Sequence, residues 1–470
     1  MTEIPLTIAA TAKALRAGTL TSVALTTELF DRADHLDSKI GCYIVRTDET
    51  ALAAAADADA KFAAGIDLGP LQGIPLGIKD ILATNEAPTT AQSVVLDPAW
   101  GARGDGPVVA RLRAAGAVLM GKLTSMEFAC GLPDAAKPFP VPRNPWNTDY
   151  WTGGSSSGTG NGVATGLFLG GLGTDTGGSI RIPAAFCGIS GMKQTYGRVP
   201  KSGCVPLGYS YDHIGPMARS AEDCAIMLQV IAGYDASDPT CADAAVPDFM
   251  SGMNGSLRGM KIAVEKAYHL GRTDVEPGVA PALDAALAVL AEAGAEIVEI
   301  TIPDFETLSA GSVLSIMGEP FAYHLPDLRK RWADYGYLTS QTIAVGGLLN
   351  ASDYVQGQRV RSYARKLMAS VFEGIDALVT PTAAMEAPSL SSLSDAAWFF
   401  GAPLYTAFWN VVGYPAMSVP MGFGPKGLPL GLQIVTKPFE EAAGFKVGDA
   451  YQRYTDYHIR VPAMAQMVAG

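Results

Sequence analysis

The chain has 470 residues, 48% hydrophobic and 17% charged, with 52 glycines and 31 prolines, a composition that fits a turn-rich globular enzyme and excludes a disordered or fibrous chain. A net charge of −12 and an isoelectric point near 4.9 argue against the clustered basic face that phosphate backbones require, so no nucleic-acid partner is expected. The start, Met1-Thr2-Glu3-Ile4-Pro5, lacks the basic n-region and apolar stretch of a secretory signal. With no apolar run of about 18 residues later, a cytoplasmic protein with no membrane partner is expected; as partners, a small-molecule substrate and at most a second copy of the chain, as monomer or homodimer, are expected.

From the N-terminus, Leu15, Leu20, Val23, Leu25 and Leu29 fall on helical steps and Ala51 to Ala64 is alanine-rich, which predicts a helical layer over residues 1–65. At Gly73 the texture changes to short apolar runs bounded by glycine, and residues 66–230 read as the core. Gly73-Ile74-Pro75-Leu76-Gly77-Ile78 leads into Lys79-Asp80; a helix around Val108 to Ala115, stopped by Gly116, precedes the strand Ala117-Val118-Leu119-Met120. The same order recurs at Lys261-Ile262-Ala263-Val264, a helix with Val279, Leu283, Leu287 and Leu290 on one face, Gly294, and a strand from Glu296 to Ile300. Strand, helix and strand in that order predict an α/β/α sandwich, a mixed and mostly parallel twisted sheet with helices on both faces. Tyr234 to Gly255, rich in Asp, Pro and Gly, reads as a loop. Residues 303–400, which mix helical stretches with Trp398-Phe399-Phe400-Gly401, are expected to cover a pocket.

Two glycine turns carry the chemistry. Gly153-Gly154-Ser155-Ser156-Ser157-Gly158 and Gly173-Thr174-Asp175-Thr176-Gly177-Gly178-Ser179 both lie downstream of Lys79. A serine is a weak nucleophile until a base activates it, and the nearest downstream histidine, His213, has no motif around it. Lys79 sits in an apolar and glycine frame that would solvate its ammonium poorly, and a lysine held neutral can be that base. Consecutive glycines at Thr176-Gly177-Gly178-Ser179 can aim backbone N–H groups at one point, a device for stabilising an oxyanion; an ordinary strand-to-helix turn is the alternative. Gly154 to Gly158 also fits G-x-S-x-G, with Ser156 as nucleophile and His458 completing a triad. That motif needs a strand directly before it, and Asn144 to Asp149 is a turn sequence. Ser190-Gly191-Met192-Lys193 matches S-x-x-K, but Lys201-Ser202-Gly203 follows too closely for the penicillin-binding arrangement. The six cysteines show no Cys-x-x-Cys spacing and no His/Asp/Glu cluster has ligand spacing, so neither metal nor organic cofactor is implied.

Together, Gly-Ile-Lys79-Asp, Gly-Gly-Ser155-Ser-Ser-Gly and Gly-Thr-Asp-Thr-Gly-Gly-Ser179-Ile-Arg181-Ile-Pro resemble the amidase signature family. The likeness extends through Gly69-Pro-Leu-Gln-Gly73-Ile-Pro, Thr195-Tyr-Gly-Arg198-Val, Asp212-His-Ile-Gly-Pro216, Asp376-Ala-Leu-Val-Thr-Pro381-Thr and Gly427-Leu-Pro-Leu-Gly-Leu-Gln433. It implies a single amidase domain over residues 1–470 with a Ser-cisSer-Lys triad. By motif position Ser179 is the nucleophile, Ser155, in a cis peptide after Gly154, the relay, and Lys79 the base. The backbone N–H groups of Thr176, Gly177, Gly178 and Ser179 would form the oxyanion hole. Asp175 and Arg181 would act as supporting charges, with a loop-bracing ion pair as an equal reading.

Cys130 and Gly131 match a family segment that lines the acyl site, Cys130 standing where methionine is common; Asn161 stands where many relatives have a small apolar residue. The family includes the glutamine-hydrolysing subunit of tRNA-dependent amidotransferases, which this chain resembles in Arg361 and in Thr406-Ala-Phe-Trp-Asn410. That subunit carries an acid shortly before the threonine, where this chain has Pro403. Trp151, Trp398, Phe399, Phe400, Phe408 and Trp409 favour an apolar or aryl amide, anilide, carbamate or ester as the substrate, unless these rings belong to the core. Glutamine hydrolysis in an amidotransferase is the alternative, and a catalytically inactive binding subunit is a reading of another class.

Overall fold

The short apolar runs pair into one eleven-stranded sheet in the computed structural model, which describes residues 6–393 and 401–466. In chain order the strands are β1 (Tyr43–Arg46), β2 (Pro75–Lys79), β3 (Val118–Leu123), β4 (Gly170–Thr174), β5 (Ser190–Lys193), β6 (Ile214–Ala218), β7 (Lys261–Glu265), β8 (Glu296–Ile300), β9 (Ala377–Pro381), β10 (Ala416–Phe423) and β11 (Pro429–Val435). Across the sheet they run β1-β3-β2-β4-β6-β5-β10-β11-β9-β7-β8.

The mixed α/β sheet flanked by helices agrees with the sequence reading, but its strands are not mostly parallel. Only β2 with β3 and β4, and β7 with β8 and β9, pair in parallel; the other six pairings are antiparallel. The strand–helix–strand units visible in the sequence lie towards the two flanks. At the centre β10 and β11 form a hairpin, antiparallel by construction, and β6 pairs antiparallel with both β4 and β5 across longer connections. The N-terminal layer holds helices Ile8–Arg16, Ser22–Ile40 and Asp48–Ala63, the first two capped by Thr7 and Thr21. It also holds β1, a strand of four residues that its helical surroundings hid.

Residues 303–393 begin with the helices Phe305–Arg331, Tyr337–Ala344 and Ala351–Val371. No helix of the described residues is long and apolar enough to cross a membrane.

Two local features position the site. β2 and β4 are parallel neighbours, with Leu76 opposite Gly170 and Ile78 opposite Leu172, so their C-terminal ends, Lys79 and Thr174, emerge side by side. Helix Ser157–Thr165 is buried along its whole length because its glycines admit neighbours where side chains would stand. A Cβ at Gly158 would lie 2.5 Å from the Cys42 carbonyl oxygen, and one at Gly162 2.2 Å from the Phe168 ring. Linker-like composition thus serves close packing, and it sets the helix start, with Ser155 and Ser156, against the ends of β2 and β4.

Candidate active site

Lys79 is fully buried, and its Nζ lies 2.7 Å from Ser155 Oγ, 2.8 Å from Thr174 Oγ1 and 3.1 Å from Ser156 Oγ. Burial lowers its pKa from the usual lysine value to about 7, with Asp175 and Asp212 opposing the shift only in part. The peptide bond between Gly154 and Ser155 is cis. Ser156 is committed to structure: its hydroxyl donates to the Thr174 carbonyl and accepts the Thr174 N–H, both at 3.1 Å. The elbow reading therefore fails, because Ser156 is held by Lys79 and Thr174 while His458 sits in a short helical turn near the C-terminus beside Arg219. The S-x-x-K reading fails too. Lys193 donates to Tyr414 O and Gln194 O, whereas Ser190 Oγ donates to Arg219 O.

The second glycine turn is braced from both sides. Asp175 and Arg181 are completely buried and paired at 2.9 Å. Burial pushes the Asp175 carboxyl up, but Arg181 outweighs it and holds the group well below the usual carboxylate range. Arg181 also donates to Thr406 O at 2.9 Å, Gln433 Oε1 at 2.8 Å and Asn410 Oδ1 at 2.6 Å. On the other side Thr176 Oγ1 donates to the buried Asp212 at 2.5 Å.

One expected oxyanion donor is redirected. The Gly178 N–H donates to Asp175 Oδ1 at 2.8 Å, and Gly178 is not among the residues that line the cavity, whereas Thr176, Gly177 and Ser179 are. A buried carboxylate with two lone-pair-bearing oxygens takes the nearest N–H of its own turn, which leaves three N–H groups facing the cavity at most.

The cavity has a volume of about 320 Å³. Ser155 and Ser179 share its wall with Gly154, Cys130, Gly131 and Trp151, so these expected site residues are brought together. Cys130 is a buried thiol with its pKa pushed up to about 12 by burial, a packing group rather than a nucleophile. Ile182, Leu207, Ile316, Met317, Leu404 and Pro403 add apolar groups to the wall, and Tyr268, Arg272 and Glu306 add polar ones. Phe408 and Trp409 are core residues packed on Phe305. Arg361 donates to Val411 O and Ser210 O, away from the cavity wall, and Asn161 ties Ile40 O to Arg143 O. Trp398, Phe399 and Phe400 lie outside the described residues. Among the described residues no group of three His, Cys, Asp or Glu side chains could hold a metal ion. Sequence reading missed Thr174, inside the second turn, and Tyr268, Arg272 and Glu306, whose nearness to the site only the fold creates, and it gave Thr406 no role at the turn.

A family model described as Amidase matches residues 24–443. The chain belongs to the amidase signature family. It is 38% identical to the glutamyl-tRNA(Gln) amidotransferase A-subunit of Chloroflexus aggregans over 99% of this chain and 100% of that protein. Among solved structures, the native peptide amidase of Stenotrophomonas maltophilia superposes with a TM-score of 0.81 at 28% identity, covering 96% of this chain and 98% of that one. The glutamyl-tRNA(Gln) amidotransferase A-subunit of Thermotoga maritima superposes with a TM-score of 0.77 at 29% identity, covering 93% and 95%.

These relatives correct one expectation. The acidic composition argued against a nucleic-acid partner, and a monomer or homodimer was expected, yet relatives of full length are subunits of an amidotransferase named for a charged tRNA. Net charge sums over a chain; it reports neither the charge of one face nor what other subunits contribute. As a member of this family the chain is a hydrolase-type enzyme acting on carbon–nitrogen bonds.

Proposed function

We propose that this amidase-family chain hydrolyses an amide-type carbon–nitrogen bond through an acyl-enzyme on Ser179, with Ser155 as proton relay and Lys79 as base. The observation that carries the reading is the buried Lys79 Nζ, 2.7 Å from Ser155 Oγ, with a pKa near neutrality. In the first half-reaction neutral Lys79 takes the Ser155 proton while Ser155 takes that of Ser179, whose Oγ bonds to the substrate carbonyl carbon. The negative charge that develops on the carbonyl oxygen is met by the free N–H groups of Thr176, Gly177 and Ser179. The proton returns through Ser155 to the departing nitrogen, the carbon–nitrogen bond breaks and the amine leaves. Water then repeats the relay in the same direction on the ester, releasing the acid and restoring Ser179.

For the amide itself, the cavity supports an apolar or aryl amide, anilide or carbamate. Its wall is largely apolar, and Pro403 stands where a glutamine-binding subunit would carry an acid. The second reading, a glutamine-hydrolysing amidotransferase subunit, is supported by relatives of full length that bear that name. Turnover of glutamine, p-nitroanilides, aliphatic amides and aryl carbamates at equal concentration separates the two. Aryl substrates are expected to lead, and preferential glutamine hydrolysis would replace the first reading by the second. For the machinery, a fluorophosphonate is expected to modify Ser179 in a one-to-one adduct seen by mass spectrometry, and Lys79→Ala to abolish amide turnover at neutral pH. An unmodified Ser179 would point instead to an inactive binding subunit.

A further inference from the structure

The second glycine turn contains a peptide gripped at both of its polar atoms. Between Gly177 and Gly178, the N–H donates to Asp175 Oδ1 at 2.8 Å, and the C=O accepts the Thr406 hydroxyl at 2.6 Å. The peptides on either side carry the N–H groups of Gly177 and Ser179, two of the three residues of the turn that line the cavity. A peptide plane bounded by two glycines rotates with little steric resistance, since neither residue has a Cβ to oppose it. Its orientation is therefore decided by its two hydrogen bonds.

One grip is over-determined. Asp175 Oδ1 also receives Arg181 at 2.9 Å and Asn410 at 2.8 Å, so the carboxylate cannot follow the peptide if it turns. The other grip depends on a single hydroxyl from a distant part of the chain. Thr406 is itself fixed, because its carbonyl accepts Arg181 at 2.9 Å. It fits the turn closely enough that a Cβ at Gly178, whose φ is +131°, would lie 2.1 Å from Thr406 Oγ1. Its neighbours Tyr405 and Ala407 both line the cavity.

We propose that Thr406 is a positioning residue that latches the Gly177–Gly178 peptide, so that the flanking Gly177 and Ser179 N–H groups stay aimed at the developing oxyanion. Without the hydroxyl, the Gly177 carbonyl loses its partner and the peptide turns, carrying the flanking donors off their aim. The proposal rests on Ser179 being the nucleophile. Because Thr406 belongs to the strip of chain that forms the cavity wall, the latch ties the state of that wall to the readiness of the oxyanion site.

The test is the rate at which a fluorophosphonate phosphonylates Ser179 in the wild-type chain, in Thr406→Val and in Thr406→Ser. The reaction is followed by intact mass well below each protein's melting midpoint, with kcat and KM measured on the best substrate of the panel. Thr406→Val, which keeps the shape and removes the donor, is expected to slow labelling and kcat by about 10²-fold with KM little changed, the size of effect seen when one oxyanion donor is lost. Thr406→Ser is expected to restore both to within a few-fold. Should Thr406→Val fail to fold, Thr406→Ala gives the same comparison. Equal labelling rates in the wild type and in the variant without the hydroxyl would overturn the latch, as would a Thr406→Ser variant equally slow. A wild-type chain whose Ser179 stays unlabelled would overturn the nucleophile assignment instead.

Discussion

At Lys79 Nζ, a charged ammonium would have three N–H bonds for three hydroxyl oxygens, whereas the neutral amine has two and keeps a lone pair. Ser156 spends its own proton on the Thr174 carbonyl, so it can only accept from Lys79. Thr174 Oγ1 can take the second N–H, which leaves the lone pair for the Ser155 hydroxyl. The surrounding hydroxyls thus orient the neutral base as well as hold it. Since burial lowers the lysine pKa to about 7 and the reactive form is the deprotonated one, kcat/KM is expected to rise with pH through about 7 and level off above it. Below that point it should fall about tenfold per pH unit. A profile measured between about pH 5 and 9 checks this, and a rate flat down to pH 5 would remove Lys79 from the role of base. These residues were legible because their turns are written in glycine and serine next to each other. The fate of the Gly178 N–H was not, since a side-chain carboxylate and a distant asparagine decide it.

Among the elements, helix Ser157–Thr165 shows where propensity and packing disagree. Replacing a mid-helix glycine by alanine is worth about 1 kcal/mol in favour of the helix when the site is exposed. At Gly162 the added methyl would meet Phe168 Cζ at 2.2 Å and Cys42 Sγ at 2.7 Å, both fully buried. Neither neighbour can withdraw from a filled interior, and overpacking of that kind costs about 1–3 kcal/mol. Gly162→Ala is therefore expected to lower stability by up to about 2 kcal/mol, read as a fall in the denaturant midpoint at unchanged m-value. A midpoint that rises would show the helix free to shift off the sheet. Strands and helices on the flanks follow from hydrophobic periodicity, while the antiparallel pairing of β6 with β4 and β5, and of β5 with β10, joins strands with no tight turn between them, a long-range choice that no local spacing records.

On the scale of the whole molecule, the cavity is assembled from stretches that lie far apart in the chain: Cys130 and Gly131, the two glycine turns, Tyr268 and Arg272, helix Phe305–Arg331, and Gly401 to Ala407. The turns announce themselves in the sequence, and Cys130 and Gly131 through the family likeness, while the stretches from Tyr268 onward do not, which is why acyl chemistry is easier to read than the identity of the substrate. A second long-range join fastens the N-terminal layer to this core. Asp223, in the first turn of helix Ala221–Ile231, accepts the Ala9 N–H at 3.0 Å, at the start of helix Ile8–Arg16. The carboxylate is fully buried, and burial raises its pKa to about 6 despite the hydrogen bonds that favour its charge. Its folded pKa therefore lies above the unfolded value of about 3.9. The ionised group thus weakens the fold fully above about pH 6, and the penalty fades as pH falls towards 4. Asp223→Asn keeps an acceptor for Ala9 without the charge. It is expected to raise the thermal midpoint at pH 7.5 by an amount equivalent to at most about 3 kcal/mol, reduced by its weaker hydrogen bond. That gain should shrink through pH 6 and vanish near pH 4. Melting both proteins across that range tests the join directly, and a difference that does not change with pH would mean that Asp223 is held charged at no cost by the two helix N-termini it touches.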